Sequence, residues 1–146
     1  MRKDSGEFEV YNEVIKFSTK GHVDFIDLTD QILEIAGRSG IRDGIIHVFA
    51  PHATGILSIN EYTEDLQEDI RRLLENLVPS RGQYAHPWNA HSHLRALLLG
   101  SSQSIPLVEG KPLLGAWQSI FFIETDTRPR QRTVFVQVMG LRPAKP

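Results

Sequence analysis

An α+β fold built on a largely antiparallel sheet is the architecture this chain predicts, and three observations carry it. Strand-like segments outnumber helix-like ones by about two to one. Several of those strands are joined by short Gly- and Pro-containing turns of the hairpin kind, which parallel neighbours cannot use. The helices carry their apolar residues on one side, as helices laid against one face of a sheet do. At 146 residues and 40% hydrophobic content the chain can bury one sizeable core, so a single domain over residues 1–146 is expected.

The elements follow in order. Phe8, Val10, Tyr11, Val14, Ile15 and Phe17 are β-formers and predict a strand over residues 8–17, and residues 22–28 alternate with period two. Thr29 is placed to cap a helix whose apolar side holds Ile32, Leu33, Ile35 and Ala36, and which ends between Gly37 and Gly40. Residues 44–50 and 55–60 read as strands separated by Pro51-His52-Ala53-Thr54. Leu66, Ile70, Leu73, Leu74 and Leu77 keep helical spacing. Acids at Glu64, Asp65, Glu68 and Asp69 precede Arg71 and Arg72, as the helix dipole favours.

Beyond Pro79, residues 80–88 predict a loop, and Asn89 an N-cap for a short helix through Leu94, Ala96, Leu97 and Leu98 that stops at Gly100. The last strands are expected over residues 101–108, 116–124 and 133–139, joined by the turn Glu109-Gly110-Lys111-Pro112 and by a polar segment over 125–132. Residues 142–146 read as a frayed tail. Apolar residues on both sides of 120–123 and 134–136 imply that the second face of the sheet is also covered, by another subunit.

Sixteen basic against eighteen acidic residues leave a net charge of -2, which argues against nucleic acid or an anionic membrane as a main partner. The absence of Cys removes disulfides, thiolate ligands and a Cys nucleophile, so any metal must use His, carboxylate or carbonyl. Residues 1–7 lack the apolar core of a signal peptide, and no apolar run approaches the roughly 18 residues of a membrane span, so a cytoplasmic protein is expected.

Three of the six histidines, His86, His91 and His93, fall within residues 86–93. Neutral imidazole is a common metal ligand and exchanges protons near neutrality, so the cluster points to a metal or anion site. A solvated turn collects the same residue types equally well. Residues two apart on a helix point about 200° from each other, so His91 and His93 cannot both face one ion if both are helical. His93, inside the first helical turn, is the more rigidly held. His52, in the break between two strands, is placed to project over a sheet edge or to serve as a plain turn residue. His22 and His47 read as structural or solvated.

Asn60-Glu61 at a strand end supplies a carboxylate for ligation, for orienting a histidine or for proton abstraction, or simply opens the turn. Gly100-Ser101-Ser102 offers hydroxyls to phosphate oxygens, although it lacks the P-loop pattern. In Gly115-Ala116-Trp117-Gln118 the indole is expected in the core, and a buried Gln118 would need hydrogen-bond partners.

Pro51-His52-Ala53-Thr54, Ile59-Asn60-Glu61, Tyr84-x-His86, Asn89-Ala90-His91-Ser92-His93-Leu94, Leu99-Gly100-Ser101-Ser102 and Gly115-Ala116-Trp117-Gln118, in this order, resemble the YjbQ family, also called the secondary thiamine-phosphate synthase family. The likeness covers nearly the whole chain. It implies a homotrimer with sheets packed about the threefold axis and a His-lined site for a divalent metal, zinc or magnesium, or for a phosphate-like anion. The pattern matches at His52, Asn60, Glu61, His86, His93, Ser101 and Gln118, and His91 matches only some relatives. Ala116 stands where the family commonly has Thr, and Glu64-Asp65 replaces the usual Asp-Pro arrangement.

The roles that follow from the resemblance are catalysis by His52, Glu61, His93 and Gln118, phosphate binding by Asn60, Asn89, Ser101 and Ser102, and metal ligation by His52, His86, His93 and His91. The implied activity joins a pyrimidine-methyl diphosphate to a thiazole phosphate and releases pyrophosphate, with a small phosphorylated molecule as the partner. Metal-assisted phosphate-ester hydrolysis and a non-catalytic trimeric metal- or metabolite-binding protein are the alternatives.

Overall fold

The computed structural model describes residues 2–143. Its elements are β1 (Glu7–Thr19), β2 (Asp24–Asp27), α1 (Thr29–Ser39), β3 (Asp43–Phe49), β4 (Gly55–Asn60), α2 (Glu64–Leu77), α3 (Ala90–Leu99), β5 (Ser102–Val108), β6 (Lys111–Pro112), β7 (Ser119–Glu124) and β8 (Arg130–Arg142). The strands form two antiparallel sheets, one ordered β1-β8-β3-β5-β6 and the other β2-β7-β4. The α+β class with antiparallel pairing is as the sequence predicts. The split into two sheets is not, because alternation along a strand reports which face is apolar and not which strand lies beside it.

The three-stranded sheet is buried on both faces. Ile120 and Phe122 of β7 and Leu57 of β4 turn toward the five-stranded sheet and α1, joining Ile46, Val48, Val134, Val136 and Val138. Phe121 and Ile123, with Ile56, turn the other way onto Leu74 of α2 and Ala96 of α3. Each such side chain contributes roughly 1.5–3 kcal/mol by leaving water. The cover over residues 120–123 is therefore this chain's own α2 and α3, which corrects the expectation of a second subunit there. Gly55 is required at the start of β4, since a Cβ at that position would run into the Phe122 ring.

The five-stranded sheet keeps its outer face open. Register places Val14, Phe135 and Phe49 in one row across it and Val10, Met139 and Ile45 in another, with the polar row Asn12, Gln137, His47 and Ser104 between them. Phe135, expected under cover, is 47% exposed. The polar row is tied internally, Gln137 donating to Asn12 at 2.8 Å and His47 Nδ1 lying 2.8 Å from Ser104 Oγ.

Several boundaries differ for local reasons. Thr29 opens α1 rather than capping it, because its hydroxyl donates to Asp27 at 2.6 Å, and Leu28 stands at the cap. α1 ends on Gly40 in the left-handed conformation (φ 71°), as predicted for a glycine stop. His22 and Val23 also adopt positive φ and delay β2 to Asp24. Residues 111–112, read as turn, pair with β5 as β6, and β8 starts at Arg130 rather than 133. β7 starts at Ser119, since residues 115–118 form a turn closed by the Gln118 N–H on the Gly115 carbonyl at 3.0 Å. Trp117 is consequently 77% exposed rather than core, and Gln118 is exposed as well. Of the tail expected at 142–146, Arg142 ends β8 and pairs with Glu9 at 2.8 Å, while residues 144–146 lie outside the described residues. No helix among the described residues is long and apolar enough to cross a membrane.

Candidate functional site

Three separated segments meet at the Gly55 end of β4. The loop after β3 carries His52, the first turn of α3 carries His93, and the junction of α3 with β5 carries Ser101; all three line one open groove of about 380 Å³, completed by Ala53, Leu94, Ala96 and Leu97. Backbone bonds set these positions, with Ala50 N–H on the Ser101 carbonyl at 2.8 Å and Leu57 N–H on the Gly100 carbonyl at 3.3 Å. Ser102, one residue on, starts β5 opposite Phe49 and is not part of the groove lining.

His52 is half-buried, and its Nε2 receives the Thr133 N–H at 2.9 Å with the Thr133 carbonyl 3.0 Å away. Burial and the nearby Arg132 guanidinium push its pKa below the ordinary imidazole range. The ring is thus neutral near pH 7, with Nε2 committed to the backbone and Nδ1 carrying its remaining hydrogen-bonding capacity.

His86 lies in the loop before α3, its ring centroid 4.8 Å from that of His93. Its Nε2 is 3.2 Å from Asn89 Oδ1, and Asn89 Nδ2 donates to Asp126 at 3.4 Å. Asn89 does occupy the N-cap of α3, but its side chain caps nothing and holds this relay instead, leaving its carbonyl to take the Ser92 and His93 N–H groups. His91 sits on the other side of α3, buried, against a separate groove shared with Tyr84, His86 and Trp88. Burial and Arg95 lower its pKa. His91 and His93 therefore diverge as their two-residue spacing on a helix requires.

Asn60, Glu61 and Gln118 lie elsewhere. Asn60 pairs with Ser119 at the far end of β4, so Glu61 and Gln118 sit together there, about 17 Å of strand from Gly55. Asn60 Oδ1 accepts the Glu61 N–H at 2.8 Å, and Gln118 Oε1 accepts the Gly115 N–H at 2.8 Å. One chain does not bring these three to the histidines.

The sequence reading overlooked a buried ionic cluster behind the groove. Glu124, at 0% exposure, binds Arg132 through both oxygens, one at 2.7 Å, and accepts from Thr19 at 2.6 Å. Arg132 also donates to Thr54 at 2.8 Å, and Thr54 donates to Asp126 at 3.1 Å. Arg130 pairs with Asp126 at 2.8 Å. Burial alone would raise the Asp126 carboxyl, but the Thr127 N–H with Arg130, Thr54 and Asn89 holds it below its ordinary range. The signal was present in Glu124-Thr125-Asp126 and Arg130-Gln131-Arg132, whose charges repeat at strand period beside apolar runs.

The model of the family described as UPF0047 protein YjbQ-like matches residues 13–141. This chain belongs to that family. It is 44% identical over 135 residues to a UPF0047 protein of Methanothermobacter thermautotrophicus, covering 90% of this chain and 94% of that one. Among solved structures it resembles a YbjQ-like protein of unknown function from Sulfolobus solfataricus P2, with a TM-score of 0.89 at 34% identity over 92% of this chain and 99% of that one. It also resembles an uncharacterized YjbQ/UPF0047 family protein from Clostridium acetobutylicum, with a TM-score of 0.77 at 41% identity, covering 85% and 98%.

Within one chain, among the described residues, no three His, Cys, Asp or Glu side chains are grouped so as to hold a metal ion. The histidines suit zinc chemically, but this end of the molecule offers them no adjacent carboxylate beyond Asp126, which is engaged. A metal centre does not fit a single chain.

Proposed function

We propose that the groove walled by His52, His93 and Ser101 binds a small phosphorylated molecule, and that the protein acts there as a cytoplasmic homotrimeric transferase of the thiamine-phosphate synthase type. The observation that carries the reading is the convergence of those three side chains, from segments far apart in sequence, on one groove of ligand size. In the proposed reaction the diphosphate leaves the pyrimidine methylene carbon with the bonding electron pair. The thiazole nitrogen lone pair forms the new C–N bond, so atoms and electrons balance without a further reagent.

Negative charge grows on the leaving oxygens, and the Ser101 hydroxyl and the imidazoles are the donors that can meet it. His52, held neutral, serves as a hydrogen-bond donor through Nδ1 rather than as a cation. Leu94 and Leu97 supply apolar wall against the heterocycles. Acid–base help of this kind is worth roughly 10²- to 10⁴-fold. The test is incubation with the two phosphorylated heterocycles and assay of both pyrophosphate and the joined product, expected from wild type and lost in His93→Ala.

The open groove also admits water, which favours phosphate-ester hydrolysis as the second reading. Inorganic phosphate released from a single ester, with no joined product, would select hydrolysis. Binding of a phosphorylated heterocycle with neither product would select the non-catalytic reading.

A further inference from the structure

We infer that a second small-molecule site lies on the other side of α3, in the groove that its N-terminus forms with the loop over residues 80–88, and that it takes a phosphate monoester: the phosphoryl group at the helix end beside His91 and Arg81, and a planar ring against Trp88. The site is separate from the groove of His52, His93 and Ser101 and does not rest on the reaction assigned there.

The N-terminal end of α3 carries uncompensated positive charge. Asn89 holds the cap position, but its side chain is turned to Asp126 and His86 and caps nothing, and the first turn contains no acidic residue. The Asn89 carbonyl takes the N–H groups of Ser92 and His93, which leaves those of Ala90 and His91 without an acceptor among the described residues. Free N–H groups at such an end, together with the helix dipole, suit an oxyanion.

A side chain points to a ligand independently. His91 is 4% exposed, yet neither of its ring nitrogens has a hydrogen-bond partner among the described residues, while no side-chain nitrogen or oxygen fully sealed from solvent among them goes unpaired. The little surface His91 shows is therefore at its nitrogens, and they open into the groove it lines, of about 350 Å³. An imidazole offers an N–H in either charge state, and one this enclosed needs a partner. Arg81 lines the same groove with its guanidinium unpaired among the described residues, and no Asp or Glu stands in the lining.

Trp88 provides the other half of the site. It lies on the rim of the groove, 91% exposed, at the centre of a γ-turn closed by the Asn89 N–H on the Pro87 carbonyl at 2.9 Å. Its φ of 66° is in the left-handed region, which a bulky side chain adopts only under constraint. An indole fixed at the rim of a cationic pocket presents a flat surface on which a planar ring stacks.

Trp88 is one of two tryptophans, so its emission alone reports binding in a Trp117→Phe chain. That chain is titrated with phenyl phosphate, inorganic phosphate and phenol. Phenyl phosphate is expected to quench Trp88 saturably, and phenol to leave it unchanged over the same range. Inorganic phosphate should compete, but with about 5-fold or more weaker affinity, because it lacks the stacked ring. In the same background, Arg81→Ala and His91→Gln should each weaken phenyl phosphate by roughly 10-fold or more, as the loss of a charge-assisted hydrogen bond does. Arg81 is exposed, so its removal tests the site even if His91→Gln destabilises the chain. Ser101→Ala should leave the titration unmoved. Full affinity in Arg81→Ala overturns the inference, as does a quench by phenol equal to that by phenyl phosphate. Loss of binding in Ser101→Ala overturns it by returning the ligand to the neighbouring groove, and so does the absence of any saturable change in Trp88 emission, whatever transferase assays show.

Discussion

The two ends of β4 are built on opposite principles. At the Gly55 end, every polar group behind the groove is locked: Glu124, Arg132, Thr54, Asp126 and Asn89 form a continuous chain of hydrogen bonds that ends on His86, while Thr133 holds His52. At the Asn60 end the Trp117 indole is exposed and Glu61 is half-buried, Asn60 and Gln118 bond to nearby backbone, and the one neighbouring tie described from Tyr62 runs to the Phe25 carbonyl at 3.0 Å. Catalytic groups need a rigid support to hold their geometry. The contrast teaches that sequence motifs of one family pattern do not have to meet within one chain.

The largest expected effect tests the rigid end. Glu124→Ala should cost about 3–5 kcal/mol in denaturant unfolding, since it strands the buried Arg132 guanidinium. The double change Glu124→Met with Arg132→Leu should lose much less. Glu61→Ala at the other end should stay within about 0.5 kcal/mol, and equal losses at both ends would break the comparison. Next, His93→Ala should lower transferase turnover by roughly 10²- to 10⁴-fold while leaving the denaturation midpoint nearly unmoved. A parallel loss of stability would make His93 a structural residue.

Asn89→Ala sharpens the relay. Releasing the His86 ring, which packs against His93, should weaken binding of pyrophosphate measured by titration calorimetry, because a recognition group held less rigidly binds less well. An unchanged affinity would separate His86 from the site. A smaller effect is expected with pH. His52 and His91 have folded pKa values below their unfolded ones, so the unfolded state takes up protons first on acidification. Their contribution is fully present above the unfolded pKa near 6.5 and is lost as pH falls from there toward the depressed folded values. Asp126, also depressed, contributes stability above its unfolded value that disappears only as pH falls through its lower folded value. His52→Gln should flatten the decline that begins as pH falls through the ordinary imidazole value, and a curve identical to wild type would show that His52 contributes nothing to it. The smallest effect on folding belongs to Trp117→Ala, within about 0.5 kcal/mol in denaturant unfolding, because the indole is exposed on a turn.

Period and turn chemistry alone located ten of the eleven elements to within a few residues, because a half-buried strand or helix must write its burial into its own residues. The six-residue β4, α2 with its leucine spacing and the glycine stop of α1 are of this kind. The same logic separates His91 from His93, since helical geometry is local. What a side chain meets at long range is not written there. Only the tertiary structure decided that the strands form two sheets, that α2 and α3 cover Phe121 and Ile123, and that Trp117 faces outward on a turn. It also decided that Glu124 and Arg132 neutralise each other in the interior, while Glu61 and His93 stand at opposite ends of β4. Burial is a property of the residue pattern, but partnership depends on where distant segments are brought, and that is fixed by how the sheets stack.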